Sequence, residues 1–305
     1  MKQKNSFKNK FVKRALKNPA KIYLPEYNDS RIKEAILELR NLDFTIVEYN
    51  QIQKNKEKYL NLISNKKFTL NWSNNMMKNF LKDPLNYGLV ALENDDVDCL
   101  VAGAKYSTSE VLRSSIRIVG LSKHTNWVSS SFFMISPDSD YAYTFSDCGV
   151  IPEPSSEQLS SIAYEASNLH KLLSGKKPIV AFLSFSSKGS ADHYKVLKVQ
   201  RAYDLFSKKY PDIKCDGEIQ FDAAINSSIS KRKKSILNGT ANVFIFPDLD
   251  SANIAYKITE HLAGFQALGP LIQGLSKPVH DLSRGCKVED IISVAAIAAL
   301  QKSIL

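Results

Sequence analysis

The chain has 305 residues, with 41 Lys and Arg against 31 Asp and Glu, a formal net charge of +10, and 44% hydrophobic against 24% charged residues. This is the composition of a folded globular protein of one large or two ordinary domains, and it excludes a disordered chain, a collagen-like repeat and a coiled coil. No stretch approaches the roughly 18–20 consecutive apolar residues of a membrane span. Cys99, Cys148, Cys215 and Cys286 lie far apart with no C-x-x-C pair, so no disulfide framework and no zinc or other metal site is expected, and the setting is expected to be reducing and cytoplasmic.

The basic excess is concentrated in two places. Lys2, Lys4, Lys8, Lys10, Lys13, Arg14, Lys17 and Lys21 precede the first acidic residue, Glu26, and Lys231-Arg232-Lys233-Lys234 forms a second run. Such runs can attract nucleic acid or anionic lipid. A Lys- and Asn-rich coding bias on solvated faces is the better account, so neither nucleic acid nor membrane is expected as a partner. Phe7, Phe11, Val12 and Leu16 recur at helical spacing inside the first run and predict an amphipathic first helix. That segment is Lys-rich, poor in Arg and Ser, and leads straight into a strand, which speaks against a transit peptide.

In chain order, Lys21 to Pro25 reads as a short strand. Asp29 or Ser30 caps a helix through Ile32, Ala35, Ile36 and Leu39, and Phe44 to Val47 is the next strand, giving β-α-β. Met76 to Leu81 is a helix stopped by Asp83-Pro84. Gly88 to Leu92 and Val97 to Ala102 continue the alternation, and Thr108 to Val119 is helical. Trp127 to Met134 reads as a strand in an antiparallel or edge context, paired with Tyr141 to Ser146. A helix over 155–173 starts at Ser155 or Ser156, Ile179 to Phe185 is a buried strand, and Tyr194 to Lys209 is a helix. Asn242 to Pro247 is another strand, followed by a helix through Ile254, Ile258 and Leu262, and the last helix runs from Val288 to Ile304. Strands alternating with helices of this length predict an α/β fold with a mainly parallel sheet. Boundaries near 124 and 272 would make residues 1–124 with 273–305 a first α/β domain and residues 125–272 a second, inserted one.

Three segments could carry chemistry. Ser184 to Ser190 and Ala102 to Thr108 each join a strand to a helix with small residues and a lysine, a pattern that lets backbone N–H groups approach an anion at the carboxyl end of a strand. Neither has the spacing of a nucleotide P-loop. The candidates there are Ser186, Ser187, Lys188 and Gly189 in one loop, Ser107 and Thr108 in the other, and Arg113 just beyond. The third segment, Pro278 to Cys286, leads into a helix whose first turn holds Glu289 and Asp290. Carboxylates there complement a helix dipole, or one of them serves as a general base beside Ser283 and Arg284. Cys286 fits a small buried hydrophobe better than a nucleophile. The five histidines form no ligand cluster.

Taken together, these residues resemble the phosphate acetyltransferase and butyryltransferase family. The resemblance is carried by Tyr23-Leu24-Pro25-Glu26 with Asp29-Ser30-Arg31, by Asp83 to Gly88, by Asp98 to Ala104, and by Asp147-Cys148-Gly149-Val150-Ile151-Pro152. It continues through the Ser186 to Ser190 loop, Asp216-Gly217-Glu218, Asn242 to Asp248, and Gly269-Pro270 through Cys286. It implies reversible transfer of an acetyl group between acetyl phosphate and coenzyme A, releasing or consuming inorganic phosphate. It also implies two α/β domains flanking a cleft, like those of isocitrate and isopropylmalate dehydrogenases, and a homodimer. Carried over by position, Asp290 is the catalytic base, Ser283 and Arg284 are its partners, and Arg113 binds substrate. Coenzyme A is then a substrate and no other cofactor is required. A thiol with a pKa of about 8.5 needs such a base at neutral pH.

One departure stands out. The family's basic segment ahead of the Asp-Pro motif carries an arginine, whereas Asn65-Lys66-Lys67-Phe68-Thr69-Leu70-Asn71-Trp72 has none. Lys66 or Lys67 is the available substitute, without the bidentate fork of a guanidinium. Preference for butyryl or another short acyl group would use the same Ser283, Arg284 and Asp290. A dehydrogenase of this fold would need nicotinamide and metal-carboxylate signatures, which are missing. A non-enzymatic binder acting through the basic N-terminus would show salt-sensitive binding and no turnover.

Overall fold

The computed structural model describes residues 7–302. Lys2 and Lys4 of the first basic run, and the expected end of the last helix at Ile304, lie outside them. The chain divides into two compact units, one running to Asn126 and resuming at Gly274, the other spanning Trp127–Gln273.

The first unit opens with α1 (Phe7–Ala15), whose Phe7, Phe11 and Val12 are buried while Lys10 and Lys13 face outward. It continues with β1 (Lys21–Tyr23), α2 (Ser30–Asn41), β2 (Thr45–Val47), α3 (Tyr49–Gln53), α4 (Lys56–Ser64), α5 (Asn74–Phe80), α6 (Pro84–Glu93), β3 (Cys99–Ala102) and α7 (Thr108–Ile118). Asp83 both follows α5 and starts α6, because its side chain accepts from Asn86 N at 3.0 Å with Pro84 in the first turn. Gly88 to Leu92 is therefore no separate element but the buried body of α6. An unbroken apolar run carries no period by which helix and strand differ. Gly88 is required there: a Cβ would come within 2.2 Å of the Tyr23 ring.

The second unit contains β4 (Ser129–Ile135), β5 (Ala142–Ser146), α8 (Ser156–Ser174), β6 (Ile179–Leu183), α9 (Tyr194–Lys209), β7 (Lys214–Ile219), α10 (Phe221–Ile225), α11 (Ser227–Arg232), β8 (Val243–Ile245), α12 (Leu249–Ala263) and β9 (Gln266–Gln273). The chain then returns to the first unit with β10 (Val279–Asp281) and α13 (Val288–Lys302), against which α1 packs.

The first sheet, ordered β10-β3-β1-β2, is parallel throughout, and Asp281 pairs with Ala102 so that the carboxyl ends of β10 and β3 lie level. The second is ordered β7-β6-β8-β5-β4-β9: its first four strands are parallel and β4 runs antiparallel to β5 and β9. Strand alternation divides its core in two. Phe244, Ala181 and Phe145 pack on one face with Leu237 and Phe132, while Val243, Ile245 and Phe182 pack on the other with Ile162 and Phe206. The strand β9 was not expected. It contains Gly269-Pro270, residues that argue against a strand interior, but here Gly269 lies so close to β4 that a Cβ would meet Phe132 and Ser131 O at 2.9 Å. On α12 the apolar Ile254, Ile258 and Leu262, which mark the helix in the sequence, are exposed rather than buried.

Candidate functional site

In the first unit the loops after β1, β3 and β10 leave adjacent strand ends. The loop after β1 brings Glu26, Asp29 and Arg31. The buried Glu26 carboxylate accepts from Gly103 N (3.0 Å) and Ala104 N (3.0 Å) on one oxygen, and from Lys105 N (2.5 Å) and Tyr106 N (2.8 Å) on the other. The N–H groups that the sequence suggests for a bound anion thus donate to the Glu26 carboxylate. Gly103 sits at φ +111° and a Cβ on it would come within 2.2 Å of Asp281 Oδ1 and 2.5 Å of Leu282 N, so only glycine allows β3 and β10 to end this close together.

Ser107 and Thr108 open α7. Ser107 forms a capping box with Glu110, and Thr108 Oγ1 donates to Asp281 Oδ2 at 2.5 Å. Both hydroxyls therefore have structural partners. Asp281 is buried, its Oδ1 has no hydrogen-bond partner among the described residues, and burial pushes its carboxyl up to about 7 from the usual 3.8, against the lowering effect of Thr108. Arg113 is exposed on α7 and makes no hydrogen bond or ion pair with the described residues.

Ser283 and Arg284 are exposed on the loop between β10 and α13. Ser283 O accepts from Cys286 N at 2.9 Å, closing a turn, and its Oγ accepts from Gly285 N at 3.3 Å. The Arg284 guanidinium, like that of Arg113, has no partner among the described residues. Asp290 Oδ2 accepts from Lys287 N at 2.9 Å, the contact a third-position carboxylate makes at a helix start. Cys286 is buried, and burial raises its thiol while the neighbouring Arg31 acts in the opposite sense. The carbonyls of Arg284 and Cys286 both accept from Arg31 Nη1, at 2.7 and 3.1 Å.

In the second unit the loop after β6 is organised in a similar way. Glu218 Oε1, on β7, accepts from Ser186 Oγ and Gly189 N, each at 2.8 Å, and Oε2 accepts from Gln200 Nε2 at 2.9 Å. Burial alone would raise this carboxyl, but the bonds from Gly189, Gln200 and Ser186 hold it below its usual value. Ser187 N donates to Ser190 Oγ, Lys188 N to Glu218 O, and Ser187 Oγ to Gln220 Oε1. Lys188 Nζ is paired with the buried Asp216, which also accepts from Ser235 Oγ and Ile236 N. The donors and the positive charge of Ser186, Ser187, Lys188 and Gly189, expected from the sequence to face an anion, have partners inside the unit. Asp147 is a further structural carboxylate, accepting from Ser130 N and Oγ and from the N–H groups of Gly149, Val150 and Ile151.

Of the two lysines available to replace the absent arginine, Lys66 is paired with Glu93 at 2.6 Å, whereas Lys67 is exposed and has no ion pair among the described residues. Among the described residues no three His, Cys, Asp or Glu side chains gather as metal ligands would, and no helix is long and apolar enough to cross a membrane.

Residues 10–299 match the family described as Phosphate acetyl/butaryl transferase. The chain belongs to that family. It is 38% identical to the phosphate acetyltransferase of Acetivibrio thermocellus over 97% of this chain and 98% of that one, and 38% identical to that of Clostridium acetobutylicum over 90% and 84%. Among solved structures, the EutD phosphotransacetylase from Staphylococcus aureus superposes with a TM-score of 0.87 at 32% identity, over 98% of this chain and all of that one. A phosphotransacetylase from Streptococcus pyogenes gives the same score and identity over 98% of each chain. The family's sequence motifs acquire local reasons in this structure. Leu24-Pro25-Glu26 supplies the carboxylate that organises the Ala-Gly-Ala loop, Asp83-Pro84 caps α6, and Asp216-Gly217-Glu218 carries the two carboxylates of the second loop. Glu26, Arg31, Asp281 and Glu218 were not singled out as site residues from the sequence. The available signal was an acidic residue at a strand end beside a small-residue loop.

Proposed function

We propose that the chain catalyses the reversible transfer of an acetyl group between acetyl phosphate and coenzyme A. The observation that carries this is the pair of guanidinium groups, Arg113 and Arg284, that make no hydrogen bond or ion pair with the described residues, in the unit that also holds Ser283 and Asp290, in a chain 38% identical along nearly its whole length to a phosphate acetyltransferase. Asp290 takes the proton of the coenzyme A thiol, and Ser283 orients the sulfur by a hydrogen bond. The thiolate attacks the acetyl carbonyl carbon, the bond from that carbon to the phosphate oxygen breaks, and phosphate leaves with the electron pair. Arg284 and Arg113 stabilise the charge that develops on the carbonyl and phosphate oxygens. Holding both substrates together supplies the remaining acceleration, so no covalent enzyme intermediate and no metal ion is called for. Lys67, unlike Lys66, is uncommitted and can approach the phosphate in place of the absent arginine.

The chain works as a homodimer in a reducing cytoplasm, without nucleic acid or membrane as partner. The exposed stripe Ile254, Ile258 and Leu262 on α12, the last 83% exposed, supports self-association, and four buried free cysteines suit a reducing compartment. The decisive assay is acetyl-CoA formation from acetyl phosphate and coenzyme A, with butyryl phosphate in parallel. Acetyl phosphate is expected to be preferred. Preference for butyryl phosphate would change the substrate and keep the mechanism, and no turnover by folded protein would refute both.

A further inference from the structure

Arg31 lies outside the set of groups that touch substrate in this scheme, yet its guanidinium makes five hydrogen bonds to oxygens. Nε and Nη2 donate to the two oxygens of Asp29 at 3.1 and 2.9 Å, a bidentate pair. Nη2 also donates to Ala104 O at 3.0 Å, and Nη1 donates to Arg284 O and Cys286 O at 2.7 and 3.1 Å. One side chain thus joins the loop after β1, the loop after β3 and the loop after β10. Asp29 is itself fixed as the N-cap of α2, and its carboxyl is held down to about 2, first by the Arg31 side chain. Three residues earlier, Glu26 anchors the four N–H groups of the loop whose carbonyl Arg31 grips.

We infer that Glu26, Asp29 and Arg31 form a clamp that positions the Ser283–Arg284 turn for the acyl transfer, with Arg31 its key positioning residue. The inference rests on the function proposed above. A planar fork aimed at carbonyls in two other loops cannot be replaced by a point charge, because a lysine ammonium can reach one loop but not fix the angle between them. The contacts on Arg284 and Cys286 are to main-chain oxygens. They set where the Ser283 hydroxyl and Arg284 guanidinium originate and leave those side chains free for substrate. Misplacement of such groups by about 1 Å is enough to cost on the order of 100-fold in rate.

The test compares the parent chain with Arg31→Lys and Arg31→Ala by steady-state kinetics and by amide hydrogen exchange of the peptides covering 103–106 and 282–287. The clamp predicts that kcat falls about 100-fold in Arg31→Ala and at least about tenfold in Arg31→Lys, with smaller changes in KM. Exchange should speed up in those two peptides and not across the second unit. The Arg31 side chain is 30% exposed, so added guanidinium ion can enter the space left in Arg31→Ala and should restore part of kcat. Turnover of both variants within about twofold of the parent, or a loss that follows the unfolded fraction and is not rescued by guanidinium, overturns the inference. If Arg31→Ala does not fold, Arg31→Lys decides by the same criteria. If the parent itself has no turnover, the proposed function fails while the exchange pattern still judges the clamp.

Discussion

The loops after β3 and β6 read almost alike in the sequence, and each lies against a buried carboxylate from a neighbouring strand, but Glu26 accepts from four backbone N–H groups of the first loop whereas the Glu218 side chain accepts from one of the second, Gly189 N, and from the Ser186 hydroxyl. They also differ in what stands next to that carboxylate. Glu26 is followed by Asp29 and Arg31, which reach the loop bearing Ser283 and Arg284. Glu218 is preceded by Asp216, which neutralises Lys188 and ties it to the 235–236 turn. A carboxylate beside a small-residue loop is therefore linked to the turn that bears the proposed substrate-binding side chains in the first unit and remains confined to its own framework in the second.

Substitutions can break this contrast at several points. The largest effect is expected at the proposed base: Asp290→Asn should lower kcat by about 10²–10⁴, measured by thioester formation, with coenzyme A affinity by calorimetry little changed. Next, Arg284→Ala should reduce kcat/KM by about 10²–10³. Lys188→Met in the other unit should keep turnover of the folded enzyme within about threefold, yet lose on the order of 3 kcal/mol in urea unfolding because Asp216 stays buried without its counter-charge. Equal loss of turnover in both would erase the distinction drawn here. Glu26→Gln and Glu218→Gln should each cost about 1–3 kcal/mol through amides left facing a donor, but only Glu26→Gln should also depress kcat.

A smaller and pH-dependent effect sharpens the picture around Asp281. Its carboxyl titrates near 7 in the fold against an ordinary 3.8, so between about pH 4 and 7 the folded chain holds a proton that the unfolded chain has lost. Stability falls as pH rises through that window, by up to about 4 kcal/mol. His170 and His280, lowered to about 4 by burial, act oppositely, since the unfolded chain gains their protons as pH falls below 6.5. The check is therefore a difference: Asp281→Asn should gain stability relative to the parent as pH is raised from 4 to 8, and a pH-independent difference would contradict it.

Much of this architecture was legible because it rests on periodicity and punctuation. Phe7, Phe11 and Val12 mark a buried helix face, Ser155 and Gln158 a capping box, and Phe132 with Phe145 an antiparallel strand pair, which lies inside the sheet and not at its edge. Gly88 to Leu92 was misassigned because a segment buried on all sides shows no alternation, and β9 was missed because Gly269 and Pro270 resemble a loop until the close approach to β4 is known. The stripe on α12 has the period of a core face but points outward, and only neighbouring residues can decide between those two. Ser283, Arg284 and Asp290 are proposed as site residues from their order in the chain. That the small-residue loops already contained an anion could not be read that way, because Glu26 and Gly103 are 77 positions apart and their contact exists only once β1 and β3 pair.

A carboxylate covalently attached to the chain cannot be washed out, diluted or exchanged. The amides around Glu26 therefore face a resident whose local concentration no solute phosphate or sulfate can match, so this concavity is closed to inorganic oxyanions at any ordinary buffer strength.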